Sequence, residues 1–336
     1  MHGVRRACSA SALVLLLVPL ASAMPAAVRR HALRPRASAR MSAAAQWLRA
    51  NGYVLAGEQS AGGSGWASCS TLSVTSPEGV ARRLFVKSAR RSAREMFEGE
   101  ALGLRVLRAA RAIRVPEVIH FDDAPDGGSF LVMEHLELTG SADPAEVGRA
   151  MARLHLAEPS LAEARAGSFG FCVDNTIGGT PQPNAWQADW IEFYREQRIA
   201  HQLRLAGNDE LDQLWAAVLE RTDGLGALFA GMPPIRPSVL HGDLWSGNMA
   251  ATPTNEPTIF DPAAYFGHHE AEWGMSWCAG LGPAFWRGYR ELLPEEPGFA
   301  ARRPLYELYH KLNHYNLFGG GYRADSARLM RALAAK

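Results

Sequence analysis

Two side chains five positions apart, Asp243 and Asn248, have the types and spacing best suited to a chemical reaction in this sequence. Phosphoryl transfer requires a protein to hold phosphates in line, to neutralise them with metal ions, and to orient the attacking hydroxyl with a carboxylate. An Asp supplies that carboxylate, and an Asn five residues later supplies a metal ligand from the same turn. His241 lies two positions before Asp243, as in loops of this kind. The segment 241–248 therefore predicts a phosphoryl-transfer loop.

A second carboxylate follows at Asp261, thirteen residues after Asn248. The apolar pair Ile259-Phe260 directly before it is typical of a short buried strand that ends at the carboxylate. Phosphoryl-transfer sites use such an Asp as a further metal ligand. We therefore predict that Asn248 and Asp261 hold the metal ion while Asp243 is the catalytic base.

A lysine that binds the phosphates and a helix carboxylate that holds this lysine should lie earlier in the chain. Lys87 ends the apolar stretch 83–87, which predicts a strand, and a helix predicted over 92–110 carries Glu98 and Glu100. At about 100° per residue, Glu100 falls inside the apolar stripe of this helix and Glu98 falls outside it. A carboxylate on a buried face needs a cationic partner, so we predict that Glu100 pairs with Lys87.

The elements that must position these residues form two groups along the chain. Before residue 137 the pattern predicts helices over 42–51 and 92–110 and strands over 83–87, 118–121 and 130–134. After residue 138 it is mainly helical, except for the stretch 238–262 that carries the phosphoryl-transfer loop. The predicted helices of this part cover residues 144–156, 186–203, 209–223, 270–279, 283–293, 303–316 and 325–334.

With these motifs in order, the sequence resembles the fructosamine kinase family, also called ketosamine 3-kinases, over about residues 50 to 334. The run Trp245-Ser246-Gly247 is the most specific part, because related antibiotic and choline kinases rarely carry it. The other matching stretches are 85–87, 96–101, 132–136, 175–182, 240–248, 261–263 and 312–314. The segment with Trp186 and Trp190 also looks like family sequence.

The resemblance implies an α+β fold with two lobes, like that of protein kinases and aminoglycoside phosphotransferases. Residues 42–136 would form a small, β-rich, nucleotide-binding lobe. Residues 137–336 would form a larger, mostly helical lobe that carries the catalytic and substrate-binding groups. Residues 1–41 precede the region of resemblance, and their composition predicts a targeting segment that is removed.

The resemblance also implies roles for single residues. Asp243 would be the catalytic base, and Trp245 would face the sugar-amine substrate. A Mg²⁺ ion would be held by Asn248 and Asp261, and the phosphates of the cofactor ATP by Lys87 with Glu100. The segment of Met133, Glu134 and His135 would be the hinge that meets adenine through backbone groups.

The reaction implied is ATP-dependent phosphorylation of the 3-hydroxyl of a ketosamine, the sugar adduct on a protein lysine. Elimination of the phosphate then frees the amine. Because non-animal members act better on ribulosamines than on fructosamines, a ribulosamine is the expected substrate, on glycated proteins or as a small ketosamine. Two alternatives stay open: a kinase of another hydroxylated amine such as an aminoglycoside or choline, and a non-catalytic pseudokinase that uses its cleft for binding.

Several residues admit a structural interpretation beside the functional one. Trp245 could pack in the core, and Trp186 and Trp190 are better explained by packing than by substrate contact. His268 and His269, next to Glu270, are better explained as the start of a helix than as metal ligands. Asn313 and His314 could either line the site or tie helices together. The glycine-rich run 62–65 could cover phosphates, although it lacks the usual GxGxxG form.

The first part of the chain has the composition of a targeting sequence. Residues 1–57 hold eight arginines and no acidic residue, and an apolar run over 12–21 is typical of a secretory signal. Residues 24–49, rich in Ala, Arg and Ser, resemble a transit peptide. This combination resembles the two-part plastid address of algae with complex plastids. Plain secretion, or a cytoplasmic protein that starts at Met41, are the alternatives.

The charge balance of the remainder restricts the class of partner. Of 35 basic residues, 27 lie beyond residue 57, together with all 34 acidic residues. This part is mildly acidic, so we expect no nucleic-acid partner, and in the mature form no membrane partner. The four cysteines are scattered without a CxxC pair, which indicates neither a disulfide framework nor a zinc site.

Overall fold

The computed structural model describes residues 41–63, 67–125 and 127–335. The predicted targeting segment, except Met41, and Ser64 and Gly65 of the glycine-rich run lie outside the described residues. The chain divides into two compact units. The first contains the described residues up to Ala93 with His120–His135, and the second contains Arg94–Ile119 with the described residues from Leu136 onward.

A five-stranded sheet forms most of the first unit. Its strands are β1 (Val54–Gly63), β2 (Ser68–Thr75), β3 (Ala81–Ala89), β4 (Val118–Asp123) and β5 (Ser129–Glu134), in the spatial order β1-β2-β3-β5-β4. The pairs β1–β2, β2–β3 and β3–β5 are antiparallel. Helix α1 (Ala43–Ala50) begins after Ser42, whose Oγ accepts a hydrogen bond from the Ala45 N–H.

The three predicted strands are confirmed as β3, β4 and β5, whereas β1 and β2 were missed. Every residue of β1 is exposed or half-buried, so the strand has no apolar alternation to reveal it. In contrast, β5 is buried along five of its six residues. The missed strands therefore lie on the side of the sheet where the sequence signal is weakest.

Helices make up most of the second unit. They are α2 (Arg94–Ala109), α3 (Pro144–Leu156), α4 (Ala162–Arg165), α5 (Trp190–Phe193), α6 (His201–Ala206), α7 (Asp209–Arg221), α8 (Gly226–Phe229), α9 (Pro283–Leu292), α10 (Phe299–Phe318) and α11 (Tyr322–Ala334). The predictions over 92–110, 144–156, 209–223 and 283–293 are confirmed to within a few residues. Within the described residues, no helix has both the length and the apolar character to cross a membrane.

Two predicted helices differ from the structure. The prediction over 186–203 is interrupted: α5 begins only after Asp189, whose Oδ1 accepts the Glu192 N–H, and a π-helix (Tyr194–Ala200) separates α5 from α6. The prediction over 270–279 is a 3₁₀ helix (His269–Met275). Its buried carboxylates are held by side-chain and backbone partners elsewhere in the unit, and these ties override the local preference for an α-helix.

Three short two-stranded sheets interrupt the helices and position the predicted site. They pair β6 (Asn175–Ile177) with β7 (Thr180–Gln182), β8 (Ser238–Leu240) with β11 (Tyr265–Gly267), and β9 (Met249–Ala251) with β10 (Pro257–Ile259). All three pairs are antiparallel. Asp243 follows β8 and Asp261 follows β10, so two of these pairs bring the ends of the predicted loop together.

Candidate active site

Asn248 connects the two predicted carboxylate residues. Its Nδ2 donates to the backbone oxygen of Asp243 at 2.9 Å and to that of Asp261 at 3.3 Å, and it lies 3.4 Å from Asp243 Oδ2. Three residues from separate positions in the sequence thus meet at one amide group. With Nδ2 used in this way, Oδ1 is the Asn248 atom suited to bind a metal ion.

Oxygen atoms dominate this group, which has two carboxylates and one amide oxygen. These are the ligands that Mg²⁺ prefers in proteins, usually with one or two carboxylates and the phosphates of a substrate. Burial, and then the negative charges of Asp261 and Glu272, raise the pKa of Asp243 to about 7, against the opposing hydrogen bond from Asn248. A site in which two carboxylates repel each other suits a divalent cation. The donor set therefore fits the predicted metal ion.

The backbone of Asp261 is in an uncommon conformation. Its φ of 57° lies in the left-handed region, which costs free energy for residues other than glycine. The chain on either side is held by hydrogen bonds: the Phe260 N–H donates to Asn248 O at 3.2 Å, and the Ala263 N–H donates to His241 O at 2.9 Å. Such conformations persist where the surroundings over-determine them, and they concentrate at functional sites.

His241 is a bridge between the two loops. The Asp243 N–H donates to its Nδ1 at 3.3 Å, and its Nε2 lies 2.9 Å from the carbonyl oxygen of Phe260. This pattern requires a neutral ring with the proton on Nε2, and burial lowers the pKa of His241 accordingly. His241 is therefore placed to hold Asp243, while the carboxylate of Asp243 remains the group suited to accept a proton.

Glu272, which the sequence interpretation missed, holds the start of the loop. Its carboxylate accepts the backbone N–H of His241 at 2.6 Å and that of Gly242 at 3.0 Å. Burial alone would raise the pKa of Glu272, but the hydrogen bond and charge of His155 and its contacts with His241 hold the pKa below the ordinary value. A buried carboxylate thus anchors the two residues directly before Asp243. The available signal was an acidic residue inside the apolar stretch 271–275.

Gly242 is required by the close approach of the two loops. Its φ is 79°, and a Cβ at this position would lie 2.2 Å from the carbonyl oxygen of Ala263. Any other residue would push the segment after Asp261 away from the segment before Asp243. The glycine of the motif therefore sets how near the two carboxylates can come.

Trp245 lies over its own loop. A Cβ on Gly247 would lie 2.3 Å from Cη2 of the indole, so the ring covers the backbone of that glycine. Trp245 itself is only partly buried. Packing of the indole on Gly247 therefore explains the Trp-Ser-Gly run. Because the ring is partly exposed, it could also contact substrate, and that contact stays a prediction.

The predicted nucleotide-binding residues are distributed over both units. In the first unit, Lys87 is a buried residue of β3 paired with Leu131 of β5. Met133 and Glu134 lie at the end of β5, and the His135 N–H after it donates to Arg83 O at 3.1 Å. Glu100 lies in α2, which belongs to the second unit. The pairing of Lys87 with Glu100 stays a prediction.

The histidine pair His268 and His269 has structural partners. Both oxygens of Glu270 bind the buried guanidinium of Arg302, at 2.7 and 2.6 Å, and His268 Nδ1 lies 2.7 Å from the Tyr306 hydroxyl. Although His268, His269 and Glu270 are close enough to share an ion, a carboxylate already neutralised by a guanidinium is a poor metal ligand. The 3₁₀ helix begins at His269, so the structure favours the helix-start interpretation.

The remaining open residues also pack. Trp190 is buried, stacks on Phe193, and donates from Nε1 to the Tyr306 hydroxyl. Trp186 precedes α5 and is not on the same helix, contrary to the assumed spacing. His314 Nδ1 lies 2.7 Å from His310 O, and its ring packs on Tyr322 of α11, so it ties α10 to α11. The buried Asn313 lies 3.5 Å from Gln202 of α6, which likewise indicates a link between helices.

Comparisons with known proteins identify relatives of this chain. A family model described as Fructosamine kinase matches residues 44–336. The chloroplastic protein-ribulosamine 3-kinase of Arabidopsis thaliana is 47% identical over 251 residues, which are 73% of this chain and 74% of that protein.

Solved structures extend the similarity to the fold. A crystal structure from Thermobifida fusca, which has a provisional fructosamine-3-kinase name, matches with a TM-score of 0.72 at 31% identity over 85% of this chain and 96% of that chain. The aminoglycoside phosphotransferase APH(4)-Ia matches with a TM-score of 0.54 at 17% identity over 84% of this chain and 93% of that chain, a likeness of fold alone. The predicted protein-kinase-like α+β fold is confirmed.

Proposed function

The chain belongs to the fructosamine kinase family, and we propose that it transfers a phosphoryl group from ATP to the 3-hydroxyl of a protein-bound ketosamine. The observation that carries the proposal is the meeting of Asp243, Asn248 and Asp261 at the Asn248 amide. A phosphate at that carbon is a good leaving group. Its elimination would free the lysine amine and so reverse glycation.

Asp243 is proposed as the base. Its carboxylate accepts the proton of the 3-hydroxyl as that oxygen bonds to the γ-phosphorus of ATP and the bond from phosphorus to the ADP oxygen breaks. A pKa near 7 suits this role, because a base works best when it is ionised at the working pH and still basic enough to take the proton. Glu272, which accepts the two N–H groups before Asp243, and His241, which accepts the Asp243 N–H, keep the backbone in place during the transfer.

Asn248 and Asp261 are proposed to hold Mg²⁺, which when bound neutralises charge on the transferring phosphates. In the first unit, Lys87 is proposed to bind the phosphates with help from Glu100. Backbone groups of Met133, Glu134 and His135 are proposed to meet adenine. The 42–136 and 137–336 lobes of the sequence interpretation are proposed as the nucleotide-binding and substrate-binding parts.

Trp245 is proposed to contact the sugar, and a ribulosamine is the proposed sugar-amine. The partly buried ring next to the base supports the first point, and the name of the Arabidopsis relative supports the second. That relative is also named chloroplastic, which supports delivery of this chain to a plastid by residues 1–41. Fusion of residues 1–50 to a fluorescent reporter tests this: plastid fluorescence is expected, and secretion would contradict it.

A substrate panel tests the reaction. The purified protein with Mg²⁺ and ATP is given lysine derivatives of ribulose and of fructose, an aminoglycoside and choline. We expect the largest kcat/KM with the ribulose derivative, a smaller value with the fructose derivative, and negligible transfer to the other two. Phosphorylation of the free amino alcohols without either ketosamine would contradict the proposal, and so would failure to bind Mg²⁺ and ATP.

A further inference from the structure

Two buried amide side chains of the β6–β7 hairpin bind the chain directly after Asp261. Asn175 Nδ2 donates to the carbonyl oxygen of Ala264 at 2.8 Å, and Gln182 Nε2 donates to that of Ala263 at 3.1 Å. These are consecutive carbonyls, two and three residues beyond the predicted metal ligand. Asn175 is 5% exposed and Gln182 is fully buried, so solvent cannot replace either bond.

Ala263 is the point at which this hairpin reaches the phosphoryl-transfer loop. Its N–H donates to His241 O, and its carbonyl oxygen fills the space that a Cβ on Gly242 would occupy. The same carbonyl accepts the bond from Gln182. A shift of Ala263 would therefore move the chain that carries Asp261 relative to the chain that carries Asp243.

The two amides are themselves held by a network of buried polar groups. Gln182 Oε1 accepts the Tyr309 hydroxyl at 2.5 Å, and Gln182 Nε2 also donates to Asn175 Oδ1 at 2.8 Å. Asn184 Nδ2 donates to Asn175 Oδ1 at 2.9 Å, and its own Oδ1 accepts from the guanidinium of Arg198 at 2.7 Å. Each amide thus has a defined orientation, because its oxygen and its nitrogen have different partners.

Arg198 anchors the network at Asn184. It lies in the π-helix, is fully buried, and also donates to Pro183 O at 2.6 Å. Its guanidinium lies over the rings of Tyr265, at 4.1 Å, and Phe193, at 4.6 Å. A π-helical turn inside a helix is a rare feature that concentrates at functional sites. Here it places a buried cation where it orients Asn184.

We propose that Gln182 and Asn175 are positioning residues that hold the chain after Asp261, and through it the Asp261 carboxylate, at the distance from Asp243 that metal binding requires. The inference rests on the proposed role of Asp261 as a metal ligand. Apolar side chains could fill the same space, but they could not bind the two carbonyls. Groups behind metal ligands commonly change metal affinity by about 10- to 100-fold when they are replaced.

Two tyrosines of α10 give a matched pair of variants. Tyr309 and Tyr306 are both buried and both have a bonded hydroxyl, but Tyr309 binds Gln182 whereas Tyr306 binds His268 and Trp190. Tyr309→Phe and Tyr306→Phe therefore each remove one buried hydroxyl from the same helix. Only the first should disturb the chain after Asp261. Gln182→Met removes both polar ends of the side chain at nearly constant volume and serves as the stronger variant.

The readout is the affinity of the protein for Mg²⁺. Calorimetry measures ADP binding at a series of free Mg²⁺ concentrations. The affinity is taken as the Mg²⁺ concentration at which half of the change in ADP binding has occurred. We expect this concentration to rise about tenfold in Tyr309→Phe and Gln182→Met and to stay at the wild-type value in Tyr306→Phe. ADP affinity without Mg²⁺ should be unchanged in all three. The melting temperature should fall by a similar amount in Tyr306→Phe and Tyr309→Phe. A difference in Mg²⁺ affinity between the two variants would then reflect positioning of the chain after Asp261 and not a loss of stability.

Unchanged Mg²⁺ affinity in a folded Tyr309→Phe and Gln182→Met would overturn the inference, and so would an equal loss in Tyr306→Phe. No sugar acceptor is present in this measurement, so an error in the proposed substrate would leave it intact. An error in the role of Asp261 would be seen separately, as wild-type Mg²⁺ affinity in Asp261→Asn.

Discussion

The carboxylate of Glu272 lies 2.6 Å from the backbone nitrogen of His241, a residue thirty-one positions earlier in the chain. The same carboxylate binds the Gly242 N–H, so one fully buried side chain fixes the two peptide groups before Asp243. Hydrogen bonds from backbone N–H groups to a buried charge are among the stronger ones in proteins. The position of Asp243, the proposed base, therefore depends on a group that is outside its own motif.

Glu272→Gln should impair both folding and turnover. The new NH₂ group would face a backbone N–H, so one of the two bonds is lost and a buried donor is left without an acceptor. We expect the free energy of unfolding to fall by about 2 kcal/mol. We also expect a decrease in kcat that is larger, as a fold-change, than the change in the KM for ATP. Urea unfolding and steady-state kinetics measure these effects. Glu210→Gln, an exposed change on α7, is the control, and equal kinetics in both variants would argue against the anchoring role.

Gly247→Ala should displace the indole of Trp245. The added Cβ would lie 2.3 Å from the ring, a distance that side chains do not tolerate, so the ring must move. If Trp245 contacts the sugar, the KM for the ketosamine rises about tenfold while the KM for ATP stays near the wild-type value. Gly57→Ala is the control, because no atom lies within 4 Å of its added Cβ. A parallel rise in both KM values would instead indicate general damage to the loop.

Asp243→Asn should keep nucleotide binding and lose turnover. The amide cannot accept the hydroxyl proton as a base, and general-base catalysis typically contributes 10²- to 10⁴-fold, so we expect kcat to fall by about 10³-fold. Calorimetry with ADP and Mg²⁺ reports binding, and phosphorylation of a ribulosamine peptide reports turnover. The exposed Asp212→Asn change on α7 controls for the loss of one charge. Wild-type turnover in Asp243→Asn would remove Asp243 from the mechanism.

The raised pKa of Asp243 should make the metal-free protein less stable as the pH rises. Its carboxyl titrates near 7 when folded and near 3.8 as the ordinary value, so the folded state binds the proton more tightly between these limits. This contribution to the free energy of unfolding is fully present below about pH 3.8 and is lost as the pH rises through 7. Asp243→Asn has no carboxyl that titrates at this position. The free energy of unfolding of this variant, relative to that of the wild type, should therefore increase from pH 4 to pH 8. Urea unfolding in the presence of a metal chelator measures this difference. A constant difference across that range would show that the pKa is ordinary.

Some residues of the candidate site can be predicted from the sequence, and others cannot. Asp243 and Asn248 lie on one turn, and Asp261 follows a short apolar strand, so local spacing was enough to predict that they meet. Glu272 and Gln182 act on backbone groups that are distant along the chain, and such partners leave no pattern in a single sequence. Gln182 was part of a family-like stretch, but only the hydrogen bonds give it a role.

The same contrast applies to the fold. Strand β5 and helix α2 follow from apolar periodicity, because burial dictates their residue types. The 3₁₀ helix at His269 does not, because the bonds of Glu270 and Glu272 to distant groups hold it in shape. The π-helix is similarly tied to Arg198 and its buried partners. Elements held by polar bonds to remote residues are those that periodicity alone does not predict.

The bond from Ala263 N–H to His241 O has a consequence for local unfolding. Loops around active sites often open independently of the core and exchange their amide hydrogens quickly. Here each loop donates a hydrogen bond to the other, and the hairpin amides bind the chain after Asp261, so we expect the two loops to open together. The amides of His241 and Ala263 should therefore exchange as slowly as those of the interior helices, within one cooperative unit. The reaction would then take place on a part of the protein that opens only when the second unit unfolds.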